Sequence, residues 1–335
     1  MILVTGGMGY IGSHTCLALE AAGHEVLILD NLSNSKTIVL DRLEKISGLR
    51  PKFIFGDVRN AKLLAELFAN HSIDAVIHFA GLKAVGESVS NPLLYYDNNI
   101  NGALCLIGAM QIAKCKTLIF SSSATVYGDA IVVPTKEDAR RTSSSPYSRS
   151  KLIVEDILAD IVAADTDWSV ARLRYFNPIG AHKSGLIGED PNGVPNNLIP
   201  YIGQVITGRL DKLSVFGGDY PTVDGTGMRD YIHVLDLAAG HVLSLNYLHN
   251  HKGLFTANLG TGQPYSVLQI IKAFELASSH KVTFEIVGRR AGDVAQSLAD
   301  NTYAKKVLHW EPNQSLNDMC QDAWRWIREN PNGYC

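Results

Sequence analysis

Two stretches of this 335-residue chain carry side chains whose types and spacing could do acid–base chemistry. One is the serine-rich run Ser121-Ser122-Ser123-Ala124-Thr125-Val126-Tyr127-Gly128, and the other is Pro146-Tyr147-Ser148-Arg149-Ser150-Lys151. Pro146 suits the first turn of a helix, and Tyr147 and Lys151, four residues apart, then share one helical face. A phenol with a pKa near 10 is a poor base at neutral pH, but a fixed cation nearby favours the phenolate. Lowering that pKa by about three units takes roughly 4 kcal/mol of differential stabilisation, within reach of a partly buried, water-poor site. A hydroxyl from the serine run can bond the same substrate oxygen and share the proton path. Taken alone, Y-x-x-x-K is a common helical spacing in which a lysine merely extends over a ring. A Ser-His-Asp hydrolase is the other use for such serines, and the chain has no G-x-S-x-G elbow to support it.

The elements that must position these residues begin at Met1–Asn31, MILVTGGMGYIGSHTCLALEAAGHEVLILDN. A short apolar run, a glycine turn, a helical pattern and a second apolar run ending in Asp30 make one βαβ unit. Gly7, Gly9 and Gly12 fit G-x-G-x-x-G, and Gly6, Gly9 and Gly12 fit the looser G-x-x-G-x-x-G. Such glycines serve a tight turn, close approach to a pyrophosphate and helix-on-strand packing. A helix opening near Tyr10 would aim free N–H groups at that pyrophosphate. Asp30 lies 18 residues after Gly12, where a carboxylate can accept hydrogen bonds from a ribose. It favours NAD over NADP, because it would repel a 2′-phosphate, although Lys36 keeps the choice open.

Further strands are expected at Phe53–Phe55, Ala75–Phe79 and Thr117–Ser121, with helical stretches to about Ile46, from Asn60 to Asn70, and from about Leu93 to Ala113. Asp57, just past a strand end, suits either an adenine amino group or a helix N-cap. Small residues at Ala80-Gly81-Leu82-Lys83 let backbone lie against a cofactor, and the Asn98 amide could reach back to it. Alternation with short turns predicts an α/β fold, a Rossmann-type doubly wound parallel sheet. From about Phe176 to Gly227 Gly, Pro and Asn are frequent, which predicts a smaller α/β substrate-binding domain. The expected division is 1–175 for nucleotide and 176–335 for substrate, with a helical pattern at about 230–250 returning to the sheet.

Bulk composition narrows the function classes. Apolar content of 46% and charged content of 19% are those of a globular protein, and a net charge of −3 argues against nucleic-acid or anionic-membrane partners. No apolar run approaches the roughly 18 residues of a membrane span. The chain starts on a strand without a basic leader, so a cytoplasmic protein is expected. Cys16, Cys105, Cys115, Cys320 and Cys335 are scattered, which fits reduced thiols and offers no zinc site. Asn31, Asn70 and Asn313 match the glycosylation pattern, which carries no meaning without secretion. His241, His249 and His251 read as a polar helix end, and no metal is expected.

GGMGYIGSH, HFAGLKAVGES, YYDNN, SSSATVYG, YSRSK, RYFNPIGAH, NNLIPYI and DGTGMRDYIHVLDLA together resemble the extended short-chain dehydrogenase/reductase family. Within it they resemble the branch that epimerises UDP-sugars at C4, over Met1 to about Trp310. The resemblance implies interconversion of UDP-glucose and UDP-galactose by reversible C4 oxidation through a 4-keto sugar. NAD is then tightly bound and not consumed, and the setting is galactose metabolism and supply of UDP-sugars for glycan synthesis. Tyr147 is implied as the base, Ser123 as proton relay and Lys151 as the group that holds the nicotinamide ribose. The family's YGKSK reads YSRSK here, with Ser148 and Arg149 at flanking positions. The implied cofactor set is Gly6, Gly9, Tyr10, Ile11, Gly12, Asp30, Asn31, Leu32, Ser33, Asn34, Ser35, Asp57, Val58, Phe79, Ala80, Gly81, Lys83, Asn98, Ser121, Tyr147, Lys151 and Phe176. The implied substrate set is Lys83, Ser123, Tyr147, Asn177, Asn197, Leu198, Phe216, Arg229, Arg290, Asp293 and Ser297. Phe216 is assigned to the uracil pocket, Arg229 and Arg290 to the diphosphate, and Asp293 to the uridine ribose.

Narrow-specificity members of that branch carry a tyrosine four residues past this aspartate, beside the sugar 2-substituent. Serine at 297 leaves room for an N-acetyl group, which implies action on UDP-N-acetylglucosamine and UDP-N-acetylgalactosamine as well. A homodimer is also what the family implies. Related nucleotide-sugar dehydratases need an added acid and base, usually Asp-Glu where this chain has Ala124-Thr125. A reductase using NADP calls for a basic residue at Asp30, and a non-catalytic NAD-binding scaffold has no use for Ser123, Tyr147 and Lys151 together.

Overall fold

The computed structural model describes residues 1–335 except Val194, Ala291, Gly292 and Cys335. Strands and helices alternate through β1 (Ile2–Thr5), α1 (Tyr10–Ala21), β2 (Val26–Asp30), α2 (Ile38–Ser47), β3 (Lys52–Phe55), α3 (Ala61–Asn70) and β4 (Ala75–His78). Every residue of β1, β2 and β4 is buried, as parallel strands covered on both faces must be. After α4 (Val85–Ser90) and α5 (Pro92–Tyr96), a π-helical turn at Asp97–Asn101 leads into α6 (Gly102–Ile112). The helix expected to run unbroken to Ala113 is therefore widened in its middle. Asn99, drawn inward at that turn, donates to Leu82 O at 3.0 Å and Ser150 Oγ at 2.9 Å.

Next come β5 (Thr117–Ser123), α7 (Pro146–Ala164), β6 (Ser169–Tyr175), β7 (Asn177–Ile179), α8 (Leu198–Ile206), β8 (Leu213–Phe216), β9 (Met228–His233), α9 (Val234–Asn250) and β10 (Gly253–Leu259). The chain ends with β11 (Pro264–Ser266), α10 (Val267–Ser278), β12 (Phe284–Val287), β13 (Gln296–Ser297), α11 (Thr302–Leu308) and α12 (Leu316–Glu329). Seven parallel strands form the main sheet in the order β10-β6-β5-β4-β1-β2-β3. The order reverses between β1 and β4, and the crevice outside the strand carboxyl ends there is where such sheets bind nucleotides. A smaller sheet runs β11-β9-β13 with β7 also on β9, and β12 pairs β8.

Residues 230–233, expected in a helix, are strand. The Asp230 carboxylate holds them extended by accepting from Thr261 N, Thr261 Oγ1, Gly262 N and Ala299 N at 2.7–3.1 Å. The helix starts only after His233, whose ring caps Leu235 N at 3.0 Å. At the start of α7, Pro146 occupies the first turn and Ser145 and Ser148 form a reciprocal capping box.

A fully buried charged pair, Glu155 and Arg174, lies under α7. Arg174 of β6 presents Nε and Nη2 to the two Glu155 oxygens at 2.9 and 2.7 Å, and Ser122 Oγ and Arg141 Nη1 donate to the same carboxylate at 2.6 and 3.1 Å. Burial alone would raise the Glu155 pKa, but the Arg174 fork reverses this and holds it below the usual carboxylate value.

Candidate active site

The nucleotide side is shaped by what cannot fit there. Gly6 has φ of +72°, and a Cβ on it would lie 2.7 Å from Ala80 N. A Cβ on Gly12 would come to 2.3 Å from Gly6 O and 2.8 Å from Gly7 Cα, so only glycine lets α1 start this close to β1. The N-cap of α1 is Gly9, no side chain caps it, and its first turn holds no acid. Its N–H groups are free for an anion at the switch point. Ile11 packs against the main core, and Tyr10 OH donates to Gly180 O at 2.7 Å, tying α1 to the second half of the chain.

Asp30 is nearly buried and accepts from Met8 N at 3.0 Å, Leu32 N at 2.8 Å and Ser35 Oγ at 3.0 Å. Burial raises its pKa against these hydrogen bonds. Leu32 adopts φ of +58°, and Ser33 N bonds Asn31 Oδ1 at 3.0 Å, so residues 31–35 fold into a tight loop. Asn192 fastens that loop from the far half, through Asn34 Oδ1 at 3.3 Å and Ser33 O at 3.2 Å. Lys36 turns away to Tyr334 O at 2.8 Å and Asp190 at 3.3 Å. Asp57 is gripped by Arg59 and by Asn31 Nδ2, and these bonds, Arg59 foremost, hold it well below the usual carboxylate range. The cap of α3 is Asn60, which accepts from Leu63 N, so the helix-cap reading of Asp57 is overturned. Val58 is buried against Gly102.

At the end of β4, the N–H groups of Phe79 and Ala80 both donate to Thr5 O, at 2.9 and 3.1 Å. Gly81 lies beside Asn99 and Lys151: a Cβ on it would sit 3.3 Å from Asn99 Oδ1 and in ordinary contact, 3.7 Å, with Lys151 Nζ. Lys151 is buried, donates to Ser121 O at 2.7 Å and lies over the Phe120 ring at 4.9 Å. Desolvation lowers its pKa to about 8, opposed by the charge of Glu155. Tyr147 stands one turn earlier on the same helix, and the nearby Ser123 hydroxyl acts to lower its pKa. Ser123 Oγ also accepts from Thr125 N at 3.2 Å and Thr125 Oγ1 at 2.9 Å.

The electrostatics differ from the sequence expectation. Burial raises the Tyr147 pKa, and the opposing groups are Ser123 and Lys83. Lys151 is turned to the Ser121 carbonyl, so the cation that lowers the phenol's pKa here is Lys83. Lys83 Nζ in turn donates to Glu189 Oε1 at 2.8 Å, and Asn197 Nδ2 donates to the same oxygen at 2.6 Å. Glu189 and Asn99 are absent from the sequence-derived set. Asn98, which is in it, makes no side-chain hydrogen bond among the described residues, whereas its neighbour Asn99 holds Leu82 and Ser150.

Ser297, Arg229, Asp293, Arg290 and Phe216 are linked to one another by a series of pairwise contacts. Ser297 pairs with Arg229 across β13 and β9. Arg229 Nη2 lies 3.9 Å from Asp293, Arg290 Nη2 donates to Asp293 at 3.0 Å, and the Arg290 guanidinium sits 5.4 Å over the Phe216 ring. Asn177 is exposed at the start of β7, Leu198 opens α8, and Phe176 is buried against Val126, Tyr127 and Ala299. Among the described residues no group of three His, Cys, Asp or Glu could hold a metal. His241 is not at a polar helix end; it is buried and bonded to Tyr175 OH and Leu237 O. Cys16, Cys105, Cys115 and Cys320 are free thiols, and Cys335 lies outside the described residues.

Gly12→Ala forces β1 and α1 apart at the anion site. Dinucleotide released from the heat-denatured, purified variant is expected to be less than about a tenth of the wild-type amount, since even 1.4 kcal/mol lost costs tenfold in binding.

Comparison with known proteins adds to this geometry. Residues 3–323 match the family model described as GDP-mannose 4,6 dehydratase. A UDP-glucose 4-epimerase of Neisseria meningitidis serogroup C is 56% identical over 334 residues, 99% of this chain and 98% of its own length. The UDP-glucose-4-epimerase of Stenotrophomonas maltophila, crystallised with NAD and formylated UDP-arabinopyranose, is 52% identical and superposes with a TM-score of 0.96 over 98% of both chains. That of Bifidobacterium longum, in complex with NAD+ and UDP, is 48% identical with a TM-score of 0.97 over 99% of both. No helix of the described residues is long and apolar enough to cross a membrane. In sequence and in Rossmann-type fold alike, this chain belongs to the UDP-glucose 4-epimerase family.

Proposed function

We propose that this protein interconverts UDP-glucose and UDP-galactose at the crevice above β1 and β4, with NAD held between turnovers. The observation that supports the reading is that Tyr147 and Lys151 stand one turn apart on α7, with Lys151 bonded to Ser121 O two residues before Ser123, and that the α1 N-terminus has no side-chain cap. The residues present fit the dinucleotide: Gly6 and Gly12 leave a cradle that a Cβ would fill. With Asp30 buried and Lys36 committed to Tyr334, no cation is offered to a 2′-phosphate there.

When bound, NAD supplies the acceptor and later the donor of the hydride at the sugar C4, together with one positive charge. Asp30 would accept from the adenosine ribose, Lys151 would hold the nicotinamide ribose, and the free N–H groups of α1 would receive the pyrophosphate. Tyr147 takes the 4-hydroxyl proton as base, and Ser123 carries it between the sugar oxygen and the phenol. Burial makes Tyr147 a reluctant phenolate in the protein alone, so Lys83 and the cofactor's charge together draw its pKa down. A larger fraction of Tyr147 would then be phenolate, and so available as the base, once the cofactor is bound. Arg229 and Arg290 hold the diphosphate while the 4-keto sugar turns its other face to the cofactor. Asn177, Asn197 and Leu198 border the sugar, with Phe216 and Asp293 at the nucleoside. Retention of NAD is supported by Asn192 and Tyr10, which latch the nucleotide loop and α1 to the second half of the chain. The same activity places the protein in galactose metabolism and UDP-sugar supply.

Ser297, partly buried beside Arg229, leaves the sugar 2-position free of an aromatic ring, so UDP-N-acetylglucosamine and UDP-N-acetylgalactosamine are further substrates. A homodimer is supported by apolar side chains exposed on successive helices, Val89 at 64%, Leu93 at 80% and Leu104 at 47%.

Tyr147→Phe is expected to fold, keep NAD and lose at least about a thousandfold in kcat on UDP-galactose, near the middle of the range for a general base. Substantial activity in that variant rejects the assignment. Wild-type protein is expected to turn over the acetylated sugars and Ser297→Tyr to lose them while keeping UDP-galactose; a wild type inert toward acetylated sugars rejects the specificity reading. In sedimentation equilibrium the protein is expected at twice its 36.5 kDa chain mass, and a single-chain mass at micromolar concentration counts against the dimer.

A further inference from the structure

We propose that Glu155 is a positioning residue for the acid–base site, and that through Ser122 it sets the strand carrying Ser123 against the helix carrying Tyr147 and Lys151. The proposal rests on the roles given above to those three residues.

Glu155 follows Lys151 by four residues and Tyr147 by eight on α7, so all three lie along one side of the helix. Its carboxylate is fully buried, and its two oxygens take four donors: Ser122 Oγ, Arg174 Nε, Arg174 Nη2 and Arg141 Nη1. A carboxylate offers about four acceptor sites, so none is left over. Ser122 and Arg174 are register partners on β5 and β6, and both reach the same acid. One side chain of α7 therefore clamps two adjacent strands.

Ser122 lies between two residues of the site. On one side, the Ser121 carbonyl receives Lys151 Nζ at 2.7 Å. On the other, the Ser123 hydroxyl accepts from Thr125 N and Thr125 Oγ1 at 3.2 and 2.9 Å, and it is one of the groups that lower the Tyr147 pKa. The helix thus grips β5 at consecutive residues, by Lys151 on Ser121 and by Glu155 on Ser122. Sliding α7 along the strand would break both bonds and move Tyr147 off Ser123. The far side of Ser123 is held by the same network. Arg174 Nη1 donates to Tyr127 OH at 2.8 Å and to Glu137 O at 2.8 Å, and Tyr127 closes the short turn that begins at Ala124. Ser123 is braced from residue 122 and from residue 127, and both braces end on the Glu155–Arg174 pair.

A buried ion pair adds little net stability over apolar packing of the same volume, so stability alone does not account for it. Its particular product is alignment. Proton transfer is steep in distance, and a displacement of about 1 Å at a reacting pair can cost a hundredfold in rate.

Ser122→Ala removes one hydroxyl and leaves the Glu155–Arg174 pair intact, so the variant is expected to keep its fold. Steady-state kinetics on UDP-galactose should show kcat reduced about tenfold with KM nearly unchanged, at wild-type NAD content and with the thermal midpoint lowered by a few degrees for the one lost hydrogen bond. Ser122→Thr, which restores a hydroxyl, should recover most of that loss. Glu155→Gln, if folded, should lose more kcat than Ser122→Ala, because two donors then face its amide nitrogen. Wild-type kcat in Ser122→Ala, or a raised KM with kcat intact, overturns the proposal while Tyr147→Phe remains inactive. An active Tyr147→Phe overturns the roles on which the proposal stands, and the proposal with them.

Discussion

Burying a carboxylate costs several kcal/mol unless its lone pairs are met, and Glu155 is buried completely with every lone pair engaged. That requirement organises the reactive half of the molecule. Arg174 can reach the acid only from β6, Ser122 only from β5, and Arg141 only from the loop before α7. Satisfying one acid therefore brings three separate pieces of chain to the helix that bears Tyr147 and Lys151. Arg174 extends the network through Tyr127 to Asn258 on β10, so the outermost strand of the sheet is joined as well.

The nucleotide side works by the opposite device, leaving backbone groups unmet. The α1 N-terminus has no side-chain cap. In the proposed function its free N–H groups receive the pyrophosphate, and Gly6 and Gly12 keep the space beside them open. Stability comes from elsewhere: Tyr10, Asn192 and Lys36 cross-brace this region to residues more than 140 positions away. The two halves of the chain meet around the crevice, and neither encloses it alone.

Charge is distributed across the cleft in a chain of three. Glu189 holds Lys83, and Lys83 is the cation that opposes the burial-raised pKa of Tyr147. Lys151 directs its charge to the Ser121 carbonyl. The division explains why two lysines are needed where the helical spacing suggested one.

The local parts of this arrangement were legible in the residues. A glycine turn between apolar runs, an acid at a strand end and a tyrosine four before a lysine all depend on neighbours within one turn or one strand. Their geometry follows from backbone periodicity, and α1 and α7 begin at the residues the sequence indicates. The assignment of the sugar wall came from resemblance, because Phe216, Arg229, Arg290, Asp293 and Ser297 have no common local signal. What only the tertiary structure decided is which side chain satisfies which partner. In Asn98-Asn99 the pattern cannot say which amide turns inward, and a π turn settles it. At Tyr231-Ile232-His233 a helical reading fails because Asp230 is held by donors near residues 261 and 299. Glu155 and Glu189 read as ordinary surface acids until the fold buries one and sets the other against Lys83. Spacing determines which groups share a face, but the free energy of a buried charge depends on what lies across space from it, and that is set only when distant segments pack together.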